Sequence, residues 1–308
     1  MIQTVHLTKQ YGKLEALHDL NLHIEKGKVF GFIGPNGAGK STTMLILATL
    51  LAPTDGKAYV AGYDVVKEPK QVRQALGYMP DFFGVYDNLK TAEYLDFYAA
   101  AYNIPPAKRK SIIVDLLELV NLSDKADAYV DSLSRGMKQR LGLARCLVHS
   151  PDVLILDEPA SGLDPRARIE MREILKQLRG MGKTILISSH ILPELAELCD
   201  EIGVIEKGRL IACGAVEEVS AGTRGISVMQ VKVLQSHDAA RTVLQASPYV
   251  RRLDDKGSHF RFQFTGTEVD KAVLLQQLIG AGIPVVHFGE SKENLEDVFL
   301  AITEGVGS

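Results

Sequence analysis

The segment Gly34-Pro35-Asn36-Gly37-Ala38-Gly39-Lys40-Ser41 fits the pattern G-x4-G-K-[ST]. A short apolar run, Lys28 to Ile33, precedes it and a helical pattern starts at Lys40. The glycines therefore fall where a buried strand turns sharply into a helix, which is the context this pattern requires. Such a loop turns its backbone N–H groups inward, and the helix start adds its positive dipole end, so together they form a cradle for phosphate. Lys40 would bring a point charge to the β- and γ-phosphates, and the Ser41 hydroxyl would face a Mg²⁺ ion. Gly34, Asn36, Gly37, Ala38, Gly39 and Thr42 complete the expected binding loop.

A second segment carries acid. Val153-Leu154-Ile155-Leu156 is wholly apolar and ends in Asp157-Glu158. A strand buried on both faces delivers Asp157 to the carboxyl end of a parallel sheet, where it can fix the shell of a Mg²⁺ ion. Glu158, one residue on, is placed to take a proton from an attacking water. A water-directed glutamate separates this chain from small phosphate-loop kinases, which deprotonate an acceptor hydroxyl instead.

At 308 residues the chain exceeds a typical single domain and suits two. Its net charge of −3 argues against a nucleic-acid partner. Cys146, Cys199 and Cys213 show no C-x-x-C spacing, which fits a reducing compartment and leaves neither a disulfide framework nor a zinc site. No run approaches the ~18 apolar residues that span a bilayer, and Met1-Ile2-Gln3 lacks a secretory pattern. The expectation is a cytoplasmic protein that meets a membrane only by docking on its surface.

Along the chain, Val5-His6-Leu7 and Leu20 to Ile24 alternate like half-buried antiparallel strands. Thr91 to Val120 is helical with a break at Pro105-Pro106, and a further helix is expected from Ser134 to the break at His149-Ser150-Pro151. Strands at Val153–Leu156 and Thr184–Ile187 alternate with helices at Arg166–Leu178 and Leu192–Leu198, the pattern of a parallel sheet covered on both faces. The small polar stretch Ser220 to Gly225 marks a boundary, giving domains 1–222 and 223–308. Beyond it the order is strand, helix, strand, strand, helix, strand: Ile226–Leu234, Ala239–Gln245, Val250–Leu253, Phe260–Phe264, Val269–Ile279 and Val285–Phe288. That is a split βαβ, or ferredoxin-like, arrangement. Phe260, Phe262 and Phe264 alternate along one strand face, which the domain's own two helices should cover. Asn294 to Ile302 would add an amphipathic helix.

Three more segments make the set specific: Leu133-Ser134-Arg135-Gly136-Met137-Lys138-Gln139-Arg140, Ser161-Gly162-Leu163-Asp164 and Ser188-Ser189-His190. With the phosphate loop and the acidic strand end, they stand in the order found in the ATP-binding cassette (ABC) ATPases, which residues 1 to about 220 resemble. The resemblance implies an α/β P-loop NTPase core with a mixed sheet and a helical subdomain near residues 85 to 150. It also implies ATP and Mg²⁺ as ligands. Ser134 reads as an N-cap and Gly136 allows close backbone approach, so this helix start is a second anion site. One chain thus holds two cradles but one Lys40 and one Glu158. The simplest resolution is that the second cradle serves ATP held by another chain, as in the head-to-tail dimers of the family. His190 would donate a hydrogen bond to the γ-phosphate, and Tyr11 resembles the aromatic that stacks on adenine. Asp164 resembles the loop that crosses the dimer interface, and reads equally as an N-cap with Pro165 at the first helical position.

The chain departs from the family in places. Gly77-Tyr78-Met79-Pro80-Asp81 has an acid where the family usually has glutamine, so Asp81 reaches Mg²⁺ directly, reaches it through water, or stays out of reach. Arg135 replaces a glycine of the signature, and either brings positive charge towards the partner's nucleotide or faces solvent. Lys138-Gln139-Arg140 reads as an exposed, partner-proximal helix side. The tail Glu293 to Leu300 resembles the end of ATPase subunits of ABC-2-type exporters. The implied partners are a second ATPase chain and a separate permease; the rival is a non-transport ABC ATPase acting on DNA or ribosomes. The absence of a long coiled coil or zinc module between Gly39 and Leu133, and the presence of a single cassette, speak against that rival.

Overall fold

The computed structural model describes residues 1–81, 88–189, 195, 197–216, 219, 227–257 and 259–290. The chain divides into two compact units, Met1–Val216 and Glu217–Ser308.

The first unit holds two sheets. β1 (Ile2–Tyr11), β2 (Leu14–Ile24), β4 (Asp55–Val60) and β5 (Tyr63–Asp64) form an antiparallel sheet in the order β2-β1-β4-β5. The second sheet has six strands: β3 (Val29–Ile33), β6 (Leu76–Met79), β7 (Val153–Leu156), β8 (Thr184–Ser189), β9 (Glu201–Glu206) and β10 (Arg209–Ala215). Its order is β10-β9-β3-β8-β7-β6, parallel throughout except for β10. β3, β7 and β8 are buried along their whole length, as apolar runs without alternation require. One core joins Ile2, Leu7 and Leu20 of the first sheet to Met44 and Leu47 of α1 (Lys40–Leu47) and to Phe32, Ile155 and Leu186 of the second.

Among the described residues the further α-helices of this unit are α2 (Pro69–Ala75), α3 (Thr91–Ala101), α4 (Pro106–Leu119), α5 (Arg135–Leu147) and α6 (Pro165–Gly180). The expected break falls where Pro106 opens α4 in the first-turn position that tolerates proline. α3, α4 and α5 pack together as the expected helical subdomain. The sequence reading omitted β4, β5, α2, β6, β9 and β10. The helix expected at Leu192–Leu198 falls mostly outside the described residues.

The second unit bears out the split βαβ order. β11 (Ser227–Val233), α7 (His237–Ala246), β12 (Val250–Asp255), β13 (Phe260–Phe264), α8 (Glu268–Gly280) and β14 (Val285–Glu290) follow in sequence. They build an antiparallel sheet ordered β12-β13-β11-β14. Phe260, Phe262 and Phe264 are buried in one cluster with Ala240 and Leu244 of α7 and Leu274 and Leu278 of α8, so the unit's own helices cover that face. The tail from Glu293 and the boundary stretch Ser220 to Gly225 lie outside the described residues.

One expectation is overturned. Gln139 is 5% and Arg140 is 7% exposed, so this side of α5 faces inward. Arg140 Nη1 donates to the carbonyls of Val120 (2.8 Å) and Asn121 (3.0 Å), and Nη2 lies 3.4 Å from Glu170 Oε2. The end of α4 leaves carbonyls without intrahelical partners, and this guanidinium satisfies them. Arg140→Ala should therefore cost ~3 kcal/mol, measured by urea unfolding, because it leaves the Val120 and Asn121 carbonyls short of a donor and removes a buried guanidinium, although Glu170 keeps Arg166.

Candidate functional site

The parallel order β3-β8-β7 brings three strand ends together at the carboxyl edge of the sheet. β3 ends in the glycine loop, β7 in Asp157-Glu158 and β8 in Ser188-Ser189. This is where ligands bind in open α/β sheets.

The glycine loop is shaped by contacts. A methyl group at Gly34 would overlap the Ile205 carbonyl of β9, and one at Gly39, whose φ is 111°, would fall 2.7 Å from Leu17 Cδ2. Ala38 is buried, and its carbonyl accepts from Gly208 N at 2.9 Å, which ties the loop to the β9–β10 turn. α1 starts at Lys40, directly behind the loop. Lys40 Nζ donates to the carbonyls of Gly34 (2.6 Å) and Pro35 (3.3 Å) and lies 3.8 Å from Glu158 Oε1. Burial lowers the ammonium's pKa, and Glu158 and Asp157 work against that shift.

A cavity of about 270 Å³ opens here, lined by Pro35, Asn36, Gly37, Gly39, Lys40, Ser41 and Thr42 with Ala16, Asp81, Glu158 and Ser161. Its volume falls just below the roughly 300–1,000 Å³ typical of small-molecule sites. Asp81 is thus brought to the same cavity as Lys40, Ser41 and Glu158. Among the described residues no group of three or more His, Cys, Asp or Glu is arranged to hold a metal ion. What the site offers, one hydroxyl at Ser41 and nearby carboxylates, is the sparse donor set that Mg²⁺ accepts when phosphate oxygens and waters supply the rest.

Asp157 and Glu158 differ sharply. Asp157 is 3% exposed, and its Oδ1 accepts from the Ser188 hydroxyl at 2.6 Å. Glu158 borders the cavity and has φ of 50°, a left-handed backbone that costs a non-glycine residue energy and gathers at functional sites. Its N–H donates to Ser188 Oγ at 2.9 Å. One buried hydroxyl therefore holds both acidic residues in place. The sequence motif gives Ser188 no role; the signal for it is the pair of hydroxyls that ends an apolar strand.

Other predicted residues stand apart. Tyr11, at the end of β1, is 46% exposed, with Lys9 Nζ 5.2 Å from its ring centre, and does not line this cavity. Ser134 caps α5, its Oγ accepting from Met137 N at 3.3 Å. Gly136 does permit a close approach, but to α6 of the same chain: a methyl there would sit 2.9 Å from Ala167 Cβ. Neither Ser134 nor Gly136 lines the cavity. Asp164 caps α6, accepting from Ala167 N at 2.9 Å, and Pro165 takes the first helical position. His190 lies outside the described residues.

Comparison with known proteins decides the family. Residues 17–161 match the ABC transporter family, and residues 214–303 match the "ATP-binding protein DrrA1-3-like, C-terminal domain". The linearmycin resistance ATP-binding protein LnrL of Bacillus subtilis is 31% identical over 305 residues, with 98% of each chain covered. This chain is an ABC transporter ATP-binding protein. The Nod factor export ATP-binding protein I of Ralstonia nicotianae is 35% identical over 297 residues, covering 96% of this chain and 92% of that one. Among solved structures, an ATP-binding subunit of an ABC transporter matches with a TM-score of 0.66 and 29% identity, over 72% of this chain and 92% of that one. A dimeric bacterial ABC transporter cassette, MJ0796, gives 0.64 and 25% over 70% of this chain and 99% of that one. The chain is therefore an ABC ATPase that binds ATP, homologous to the ATP-binding proteins of exporters. Among the described residues no helix is long and apolar enough to cross a membrane.

Since Ser188 anchors both acidic residues of this cassette, Ser188→Ala should lower ATP turnover at least about tenfold, the scale seen when a ligand's supporting partner is lost. Steady-state hydrolysis with nucleotide affinity measured alongside checks this; an unchanged kcat would show the hydroxyl to be dispensable.

Proposed function

We propose that this chain is the motor of an exporter-type ABC transporter, working as a dimer on the cytoplasmic face of a separate membrane permease. The exporter assignment leans on what the relatives' names say of those proteins. The observation that carries the motor reading is the gathering of Lys40, Ser41, Asp81 and Glu158 about one cavity while the capped start of α5 lies elsewhere. A cradle that stands apart from Lys40 and from Glu158 is useful when another molecule's nucleotide meets it. A second copy of this chain is the natural donor, since closed two-fold dimers reuse the same surfaces.

In this reading the loop amides from Gly34 to Ser41, with Thr42, enclose the phosphates, and Lys40 turns from the Gly34 and Pro35 carbonyls to compensate their charge. Ser41 and Asp157 would hold Mg²⁺, with Asp81 as a further oxygen donor; the ion supplies charge neutralisation between the phosphates. Glu158 accepts the proton of the attacking water, and His190 assists at the γ-phosphate. Tyr11 provides an exposed ring for the base. Ser134 and Gly136 meet the partner's nucleotide. Residues 1–222 form the nucleotide-binding domain and 223–308 an accessory one. A cavity of about 200 Å³ lined by Leu50, Arg73, Tyr98, Tyr102 and Arg145 lies beside Tyr78 of β6, and there a permease segment would feel movement near Asp81.

Glu158→Gln tests this most simply. An amide cannot accept the proton, so hydrolysis should fall by a factor of about 10² or more while ATP affinity stays close to wild type. The stalled protein should run as a dimer with ATP and Mg²⁺ on a sizing column. Turnover near wild type would remove Glu158 from the proposed role.

A further inference from the structure

Arg135 is where the chain departs from its family's signature, and although the residue is exposed, its guanidinium lies against the backbone of the same chain. A methyl group at Gly162 would lie inside van der Waals contact of Arg135 Cζ and 2.5 Å from both Nη1 and Nη2. Near-equal approach to all three atoms means that the guanidinium lies face-on over Gly162. Gly162 has φ of 66°, so its backbone favours glycine independently of the contact, and the bare Cα leaves room for the flat group.

The two ends of this contact matter. Gly162 belongs to the loop that begins at Glu158 and lines the phosphate cavity through Ser161. That loop turns on itself through Ser161 N to Glu158 O (3.0 Å) and Leu163 N to Ala160 O (3.3 Å), then enters α6 at the Asp164 cap. Arg135 is the first residue of α5, next to the Ser134 cap. Beside it, the close fit of Gly136 against Ala167 seats the start of α5 on the start of α6. A rigid planar group is suited to bridging these segments, because it covers a backbone plate without needing a specific hydrogen-bond partner.

We propose that Arg135 is a positioning residue that clamps the Glu158–Asp164 loop to the start of α5 in the same chain. Through it, the residue that activates water at one nucleotide and the cradle presented to the other chain's nucleotide move as one piece. This rests on the roles proposed above for Glu158 and Ser134.

A double-mutant cycle on the full-length chain tests it, with Arg135→Ala, Gly162→Ala and the pair, each assayed for kcat, KM and ATP affinity. Arg135→Ala should lower kcat about tenfold while ATP affinity changes less than about twofold, since the phosphate loop is untouched. Gly162→Ala pushes the guanidinium away and should do the same. In the double variant the second change should add almost nothing, a coupling of about tenfold in rate. Arg135→Lys keeps the charge but not the plane, folds without a cavity, and should resemble the alanine variant. Unfolding midpoints measured on all four separate loss of position from loss of fold. Effects that multiply, wild-type kcat in Arg135→Ala, or rescue by lysine would each overturn the clamp. Those results leave the ATPase reading intact, whereas an active Glu158→Gln variant would strike the site assignment itself.

Discussion

A buried ammonium must find negative charge or carbonyl oxygen within a few ångströms, and much of this cassette is arranged around that demand at Lys40. Its Nζ leans on the Gly34 and Pro35 carbonyls and faces Glu158 at 3.8 Å. These contacts hold the charge in place, but none of them is as good a partner as a phosphate. The strand order makes the arrangement possible. Because β8 lies between β3 and β7, Ser188 can reach Asp157 and Glu158 from the next strand end and fix both.

The site's local pieces were plain in the sequence because each is a run of neighbours. A glycine loop between an apolar strand and a helix, two acids closing an apolar strand, and an N-cap followed by proline at Asp164-Pro165 can all be read without knowing what packs where. β3, β7 and β8 were clear for the same reason, since strands buried on both faces show unbroken apolar runs. What was missed depends on contacts distant in sequence. β9 contains Gly203, which looks like a strand breaker until the Phe30 ring is seen where a methyl would lie, 2.7 Å from Cζ. β4 contains Gly56 at φ of 82°, where a bulge of β1 crowds it at His6. Arg140 reads as a surface charge, and only the packing of α4 on α5 turns it inward onto the carbonyls of Val120 and Asn121. The Arg135–Gly162 contact is of the same kind: Arg135 stood out as a departure from the signature, but neither segment alone shows that the two meet.

The C-terminal unit shows the opposite balance. Its alternation is clean, its helices are bounded by turn residues, and Thr267 forms a capping box with Asp270 at the start of α8. Most local preferences agree with the final topology, the left-handed Ser236 and Arg252 being exceptions, so its element order could be read from the sequence. In the cassette three local conflicts meet at the site: Glu158 has a left-handed backbone, Lys40 is a buried cation and Asp157 a buried acid. Conflicts of that sort are what a functional edge is expected to hold.

The central claim is that one active site is assembled from two chains. It is tested most directly by mixing Lys40→Ala with Ser134→Arg and measuring ATP turnover. Each variant alone should be nearly inactive, the first for want of phosphate charge compensation and the second because its cradle is filled. In a mixed dimer one site keeps an intact Lys40 opposite a normal Ser134, so an equimolar mixture should regain roughly a quarter of wild-type turnover, given random pairing in a two-fold dimer. No recovery, with mixed dimers demonstrated by co-purification on a single tag, would contradict the shared site.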